Sequence, residues 1–276
     1  MVGAFYVIFL FLLGCIIGSF LNVVIFRYHG GQSLNGRSYC FTCGKQLAWY
    51  ELIPLLSFVI QRGRCRSCRS SISWQYFLVE LATGLLFVAA FLKGYTDISL
   101  VFPLIALSLL VTIFAYDIRH TIIPDGLVYL FSGIAFLYAF VSFDPLILSF
   151  PSASALLAGP LLFLPFFCLW FFSRGTWMGL GDAKLALGIG WFLGLLGGLT
   201  AIILAFWVGA VVSLALLGIQ YLAARKRTVL RKRFSFKSEI PFAPFLIIGF
   251  LMVFFFDIDI IMIVHFFDLR LSSLIM

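Results

Sequence analysis

The chain is predicted to be an all-α polytopic membrane protein of about eight transmembrane helices, with one small loop module between the first two. Three observations carry that reading. Of 276 residues, 63% are hydrophobic and 11% charged, well above the roughly 45–50% apolar content of a soluble domain. The apolar residues fall in runs of about 20, the length an α-helix needs to cross a bilayer core. One segment, 27–74, breaks the pattern, being polar and basic and holding four of the six cysteines.

The first apolar run, 1–26, lacks a basic n-region and a small-residue cleavage site, so it reads as a retained first helix rather than a removed signal. Near its end stand Gly18-Ser19-Phe20-Leu21-Asn22. Small residues permit close helix contact and Asn22 can hydrogen-bond across helices; packing and a place beside a site both remain open for it. Segment 27–74 is too short for a large core, and small modules commonly need a staple. Cys40/Cys43 and Cys65/Cys68 are two C-x-x-C pairs with 21 residues between them, close to the spacing of zinc ribbons and knuckles. Each pair sets two thiolates on one side of an ion, and four close a structural Zn2+ tetrahedron. Two disulfides are the alternative, and they require an oxidising compartment. Cys15 and Cys168 sit alone in apolar runs and read as small packing residues.

The remaining spans are expected near 75–93, 99–117, 126–143, 152–172, 183–196, 198–222 and 243–267, with the join at Gly197-Gly198 the least defined. With the N-terminus outside, the inside segments 27–74, 117–125, 173–184 and 223–242 collect 17 of the 19 Lys and Arg residues. That asymmetry is what the positive-inside rule requires, and it places the cysteine module in the cytoplasm. Asp117, Asp125 and Asp182 fall on the same side. The net charge of +8 therefore speaks to orientation, and no nucleic-acid partner is expected; the run 225–233 reads as a juxtamembrane signal and anionic-lipid contact. Asp257 and Asp259 read as interfacial, and no internal repeat is visible.

Ionisable groups at membrane depth are costly and mark functional sites. Asp182, in Gly179-Leu180-Gly181-Asp182-Ala183-Lys184, and Asp117, eight residues before Asp125, stand at the ends of two apolar runs. Two carboxylates brought close share a proton; one activates water while the other polarises a scissile carbonyl. Helix polarity adds an expectation: Asp117 ends a helix and holds the proton, whereas Asp182 begins one and acts as the base. Asp125, after Pro124, competes for the first position but suits a helix N-cap. Gly179 and Gly181 allow close backbone approach beside Asp182. Glu80, inside the second span, is open to both an interhelix contact and a supporting role at the site. His29 and His120 lack metal-ligand spacing, and no G-x-S-x-G nucleophile turn occurs.

These residues together resemble the bacterial type IV prepilin peptidases, which are leader peptidases and N-methyltransferases. The resemblance spans nearly the whole chain and rests on Gly18 to Val24, the paired cysteines, Val79-Glu80-Leu81 with Thr83-Gly84, Asp117 through Pro124-Asp125, Gly179 to Leu185, and Ile240-Pro241-Phe242-Ala243-Pro244-Phe245-Leu246. It implies a membrane aspartyl protease of the G-x-G-D type with Asp117 and Asp182 catalytic; the residues read above as support for such a site are Gly179, Gly181, Lys184, Asp125 and Glu80. It also implies prepilin or pseudopilin substrates, cleaved on the cytoplasmic side of the bacterial inner membrane after a glycine that follows a basic leader. The new N-terminal residue would then be methylated from S-adenosylmethionine. Ala243 departs from the Gly usual in that family, and no Gly-rich nucleotide-binding turn marks a methyl-donor site. The change in composition divides the chain into a first helix (1–26), a zinc module (27–74) and a peptidase core (75–276).

Two readings from other classes compete. An ion-coupled carrier would place Asp117 and Asp182 on a proton or cation path; a scaffold would use the four-cysteine module to grip a partner and the aspartates only to cap helices. A carrier shows substrate-dependent ion flux, and a scaffold tolerates Asp→Asn at both positions.

Overall fold

The structure is a computed structural model that describes residues 2–28, 33, 35–95, 97–141, 152–225 and 241–260. It is helical, in the order α1 (Val2–Tyr28), α2 (Leu56–Ile60), α3 (Trp74–Leu92), α4 (Asp97–His120), α5 (Asp125–Val141), α6 (Ala153–Ser173), α7 (Leu180–Arg225) and α8 (Ala243–Phe256). Five of these, α1, α3, α4, α6 and α7, are long and apolar enough to cross a membrane, and α5 and α8 are shorter apolar helices. Large side chains such as Leu92, Phe172 and Leu214 lie exposed on them, the inverse of a soluble surface. The chain divides into two packing units, 1–116 and 117–276, with the division falling inside the last turn of α4.

In the first unit, α1 and α3 approach until backbones touch. A Cβ on Gly14 would lie 2.8 Å from the Gly84 Cα, and one on Gly18 would lie 2.8 Å from the Glu80 Cα. Residues 14 and 18 form a small-xxx-small stripe, the usual device for close packing of membrane helices. Asn22 Nδ2 donates to the Tyr76 carbonyl at 3.2 Å, so it ties α1 to α3. Leu21, Ile25, Val79 and Tyr116 form the apolar centre below it.

In the second unit α7 is the axis on which α5, α6 and α8 pack. Gly190 lies against Ala158 and Gly159 of α6, and Gly249 of α8 lies against the Ala201 carbonyl. Phe131, Phe192, Phe250 and Phe254 fill the space between α5, α7 and α8. The expected break at Gly197-Gly198 is instead at Gly194, whose φ of 74° and ψ of 178° interrupt α7. Gly197 and Gly198 stay helical; Gly198 is small because Leu162 packs onto it. The piece 180–193 is about 21 Å long at 1.5 Å per residue, short of the roughly 30 Å hydrocarbon core. α7 thus covers the stretches of two expected spans, and five of the described helices reach spanning length. The last helix ends earlier than expected: Asp257, at φ 49°, caps α8, and 261–267 lie outside the described residues, as do His29 and most of the basic run at 225–233.

Candidate functional site

Asp117 and Asp182 both belong to the second unit, and the structure brings them together. Asp117 sits in the last turn of α4, which ends where the Thr121 N–H bonds the Asp117 carbonyl at 2.8 Å with Thr121 at φ 53°. The connector 121–124 is four residues long, so Asp117 is fixed close to the start of α5. Asp182 is the third residue of α7, with Gly179 at the N-cap position. Its N–H bonds the Gly179 carbonyl at 3.2 Å, and its carboxylate reaches back to the Gly179 N–H, the return half of a capping box. The aspartates are 3% and 6% exposed, respectively, and near enough that the Asp117 charge acts on Asp182. Among the described residues, Asp117 Oδ2 and Asp182 Oδ1 are buried without a hydrogen-bond partner. Buried polar atoms are nearly always paired, so an orphaned carboxylate oxygen on each of two neighbouring acids is a group prepared for something that enters.

One neighbour was not readable as a site residue. The backbone N–H of Ala243, the first residue of α8, bonds the Asp117 carboxylate. It is one of the donors that every helix N-terminus leaves unpaired. Asp117 therefore faces the positive end of α8 although it ends its own helix, and each aspartate meets a helix N-terminus. The expected polarity difference, with Asp117 as proton holder and Asp182 as base, has lost its basis.

The supporting residues separate by role. A Cβ on Gly181 would lie 2.7 Å from the Ile123 Cβ, so glycine is required there by contact with the connector; at Gly179 the nearest atom is Asp182 Oδ2 at 3.6 Å. Lys184 turns away from the aspartates. Its Nζ meets Asp125 Oδ1 at 2.6 Å and lies 4.8 Å from the centre of the Tyr129 ring, while the Ser132 hydroxyl donates to the Lys184 carbonyl at 3.3 Å. Residues 125, 129 and 132 share one face of α5, so that face grips the first turn of α7 through a single residue. Asp125 is the first helical residue of α5 and pairs with Lys184; the Pro124 carbonyl takes the opening helical bonds.

Glu80 lies in the first unit. Its carboxylate accepts from the Leu55 N–H at 2.7 Å and from the Ser19 hydroxyl, joining α3, α1 and the cysteine module. That is an interhelix contact with an added loop.

The module has a small core: Phe58 and Cys65 are its buried apolar residues among those described. Four sulfurs, of Cys40, Cys43, Cys65 and Cys68, lie within 4.8 Å of one another. Tetrahedral zinc with Zn–S near 2.3 Å implies sulfurs about 3.8 Å apart, and Cys40 Sγ to Cys68 Sγ is 3.8 Å. The donor set fits zinc in number, type and spacing. Both turns use one pattern: the Cys40 carbonyl accepts from Gly44 N–H while the Cys40 N–H bonds Lys45, and the Cys65 carbonyl accepts from Arg69 N–H while the Cys65 N–H bonds Ser70, all at 2.9 Å. Gly44 at φ 71° and Arg69 at φ 57° close the turns. Backbone donors from Cys43 and Thr42 pull the Cys40 thiol down to about 6, and Ser70 lowers Cys68. At Cys43 the Lys45 N–H favours the thiolate, but desolvation and the neighbouring sulfurs outweigh it and push the thiol up to about 11. Four crowded sulfurs do not all ionise by themselves; a divalent cation would supply the compensating charge.

Residues 12–94 match the bacterial peptidase A24 N-terminal domain, and residues 104–214 match the type IV leader peptidase family. Among the similar proteins, the prepilin leader peptidase/N-methyltransferase of Myxococcus xanthus is 39% identical over 227 residues, 78% of this chain and 64% of that protein. Those of Klebsiella pneumoniae and Bacillus subtilis are 36% and 32% identical, the alignments covering 67% and 91% of this chain and 84% and 95% of theirs. No solved structure matches. Together with the paired aspartates of the second unit and the four-sulfur cluster of the first, these matches show that the chain belongs to the type IV leader peptidase family.

Proposed function

We propose that this protein is a membrane aspartyl endopeptidase that removes the basic leader of type IV prepilins and pseudopilins, cleaving after glycine. The observation that carries this is the pair of buried carboxylates, Asp117 and Asp182, each with one oxygen unpaired among the described residues. Close together in a dry site, they share one proton. The ionised member takes a proton from water as its oxygen attacks the glycine carbonyl carbon, and the protonated member hydrogen-bonds the carbonyl oxygen. Collapse of the tetrahedral intermediate returns a proton to the leaving amine. Backbone donors at Gly179 and Ala243 hold the carboxylates in place throughout.

The relatives' names support a second activity, methylation of the new N-terminus, for which S-adenosylmethionine would be the donor. Nothing among the described residues marks its site, and no step is derived through it. Zinc, held by Cys40, Cys43, Cys65 and Cys68, would be structural, since four protein ligands leave no open position. The charge distribution supports an N-terminus outside and the aspartates and zinc module on the cytoplasmic side of the inner membrane. In this reading 27–74 is the metal module and 75–276 the peptidase core, a functional division that differs from the packing units.

The test is cleavage of a prepilin-type substrate, with a basic leader ending in Gly before Phe, by the wild type, Asp117→Asn and Asp182→Asn in liposomes. Cleavage by the wild type and its loss by at least about 10³-fold in both variants is expected, a typical scale for removal of a catalytic group. Full cleavage by both variants would refute the dyad; no cleavage by the wild type would favour the scaffold, or the carrier if an ion flux then depends on both aspartates.

A further inference from the structure

The zinc module carries an apolar surface that its metal does not explain. In α2, Phe58 points inward and packs on Trp74 and Phe77 of α3, with ring centres 5.1 and 5.5 Å away. Leu56, Val59 and Ile60 lie at i, i+3 and i+4 on the opposite face and are 52%, 60% and 59% exposed. Trp49, just upstream, is 77% exposed. For a module in water this arrangement is inverted, since the apolar face of a short amphipathic helix belongs inside.

The position of α2 along α3 says what covers that face. The Leu55 N–H is bonded to Glu80 at 2.7 Å, and Glu80 lies six residues into the membrane-spanning α3. At 1.5 Å per residue, that is about 9 Å below Trp74. Interfacial helices bury their apolar face roughly 5–10 Å into the boundary between headgroups and acyl chains. Trp74, which touches Phe58, also begins the exposed stripe of α3 that continues through Leu78, Leu85 and Leu92. The α2 face is thus next to a surface that already meets lipid. Charge agrees: Arg62, Arg64, Arg66 and Arg69 follow α2 directly, and the Arg66 guanidinium stands 5.1 Å over the Tyr50 ring, setting cations beside aromatic groups as at a bilayer surface. A second copy of the chain fits less well, because one helix of five residues offers far less than the roughly 800 Å² per partner of a stable dimer.

We propose that residues 49–60 form an interfacial anchor, with Trp49 and the Leu56, Val59 and Ile60 face of α2 inserted into the headgroup–acyl boundary of the lipid around α3. The anchor fixes the metal module against the membrane. It uses neither aspartate, so it stands independently of the proteolytic reading.

The test places photoreactive p-benzoylphenylalanine at Val59 or Ile60 of the full chain in nanodiscs of phosphatidylethanolamine and phosphatidylglycerol, with Gln46, exposed on the same module, as the control. Lipid adducts at 59 and 60, at least tenfold above those at 46, are expected by mass spectrometry. Cross-links to a second copy or to another segment of the same chain would overturn the proposal, as would equal labelling at all three positions. A second measurement needs no photoreactive variant. With brominated-acyl lipids, the fluorescence that distinguishes wild type from Trp49→Phe is expected to be quenched by more than half, and an unquenched difference would overturn the anchor as well.

Discussion

Lys184 Nζ lies 2.6 Å from Asp125 Oδ1, and this contact joins two helix starts whose near neighbours are the paired aspartates. Asp125 follows Asp117 by eight residues through a four-residue connector, and Lys184 follows Asp182 by two. The pair therefore sets the rotation of the first turn of α7 relative to the segment that carries Asp117. Lys184→Met and Asp125→Asn are each predicted to lower stability by about 0.5–1 kcal/mol, the range of a partly exposed ion pair. The double variant is predicted to lose no more than the larger single loss. In the peptidase assay, kcat is expected to fall several-fold with KM little changed. Additive losses in thermal unfolding would show that the two side chains act separately.

Gly181 and Gly179 are predicted to differ sharply although they share one motif. A methyl group at 181 would sit 2.7 Å from the Ile123 Cβ, whereas at 179 the closest atom is 3.6 Å away. Gly181→Ala is expected to cost about 1–3 kcal/mol, as overpacking does, and to reduce cleavage more than tenfold by displacing Asp182. Gly179→Ala is expected to fold near wild-type stability. Equal unfolding temperatures for the two variants would contradict this account.

The two cysteine turns make opposite predictions. Arg69 holds the left-handed conformation that Gly44 holds in the other turn, and that conformation costs an L-residue roughly 1–2 kcal/mol. Arg69→Gly is predicted to strengthen metal retention about two- to fivefold in a chelator competition, and Gly44→Ala, which meets no atom within 4 Å, to weaken it for conformational reasons alone. Stripping the metal is expected to expose 35–73 to protease while helicity elsewhere persists. A weaker hold on zinc in Arg69→Gly would mean that the arginine contributes something beyond its backbone shape.

Glu80→Gln keeps an acceptor for the Leu55 N–H, whereas Glu80→Leu removes it and strands a buried donor. The first is predicted to be mild in stability and activity, the second to cost about 1–3 kcal/mol. Loss of cleavage by Glu80→Gln in a fully folded, zinc-loaded protein would instead assign the carboxylate to the reaction.

Much of this was legible in the sequence, for identifiable reasons. Apolar runs mark membrane helices because the bilayer fixes their length, and the C-x-x-C spacing marks a tetrahedral site because two short turns must present four sulfurs. Asp117 and Asp182 stand out because acids are rare in such runs. What escaped depends on contacts between residues far apart in the chain. Ala243 offers a backbone N–H, which any residue type would carry. The need for glycine at 181 arises from Ile123, 58 positions away, and Tyr129 and Ser132 hold Lys184 across a similar distance. The break in α7 fell on Gly194 rather than on the doubled glycine because neighbouring helices claim Gly198 for close packing.

The Glu80–Leu55 bond also bears on how the protein is made. An acid entering an apolar span by itself is costly. Leu55 precedes Glu80 by 25 residues, so it leaves the ribosome about 1–5 s earlier at 5–20 residues per second. The acid therefore reaches the bilayer after the group that neutralises its cost already exists on the nascent chain. Insertion of α3 and seating of the loop become one event in biogenesis, and a chain stalled before the loop has seated would hold α3 back from the membrane.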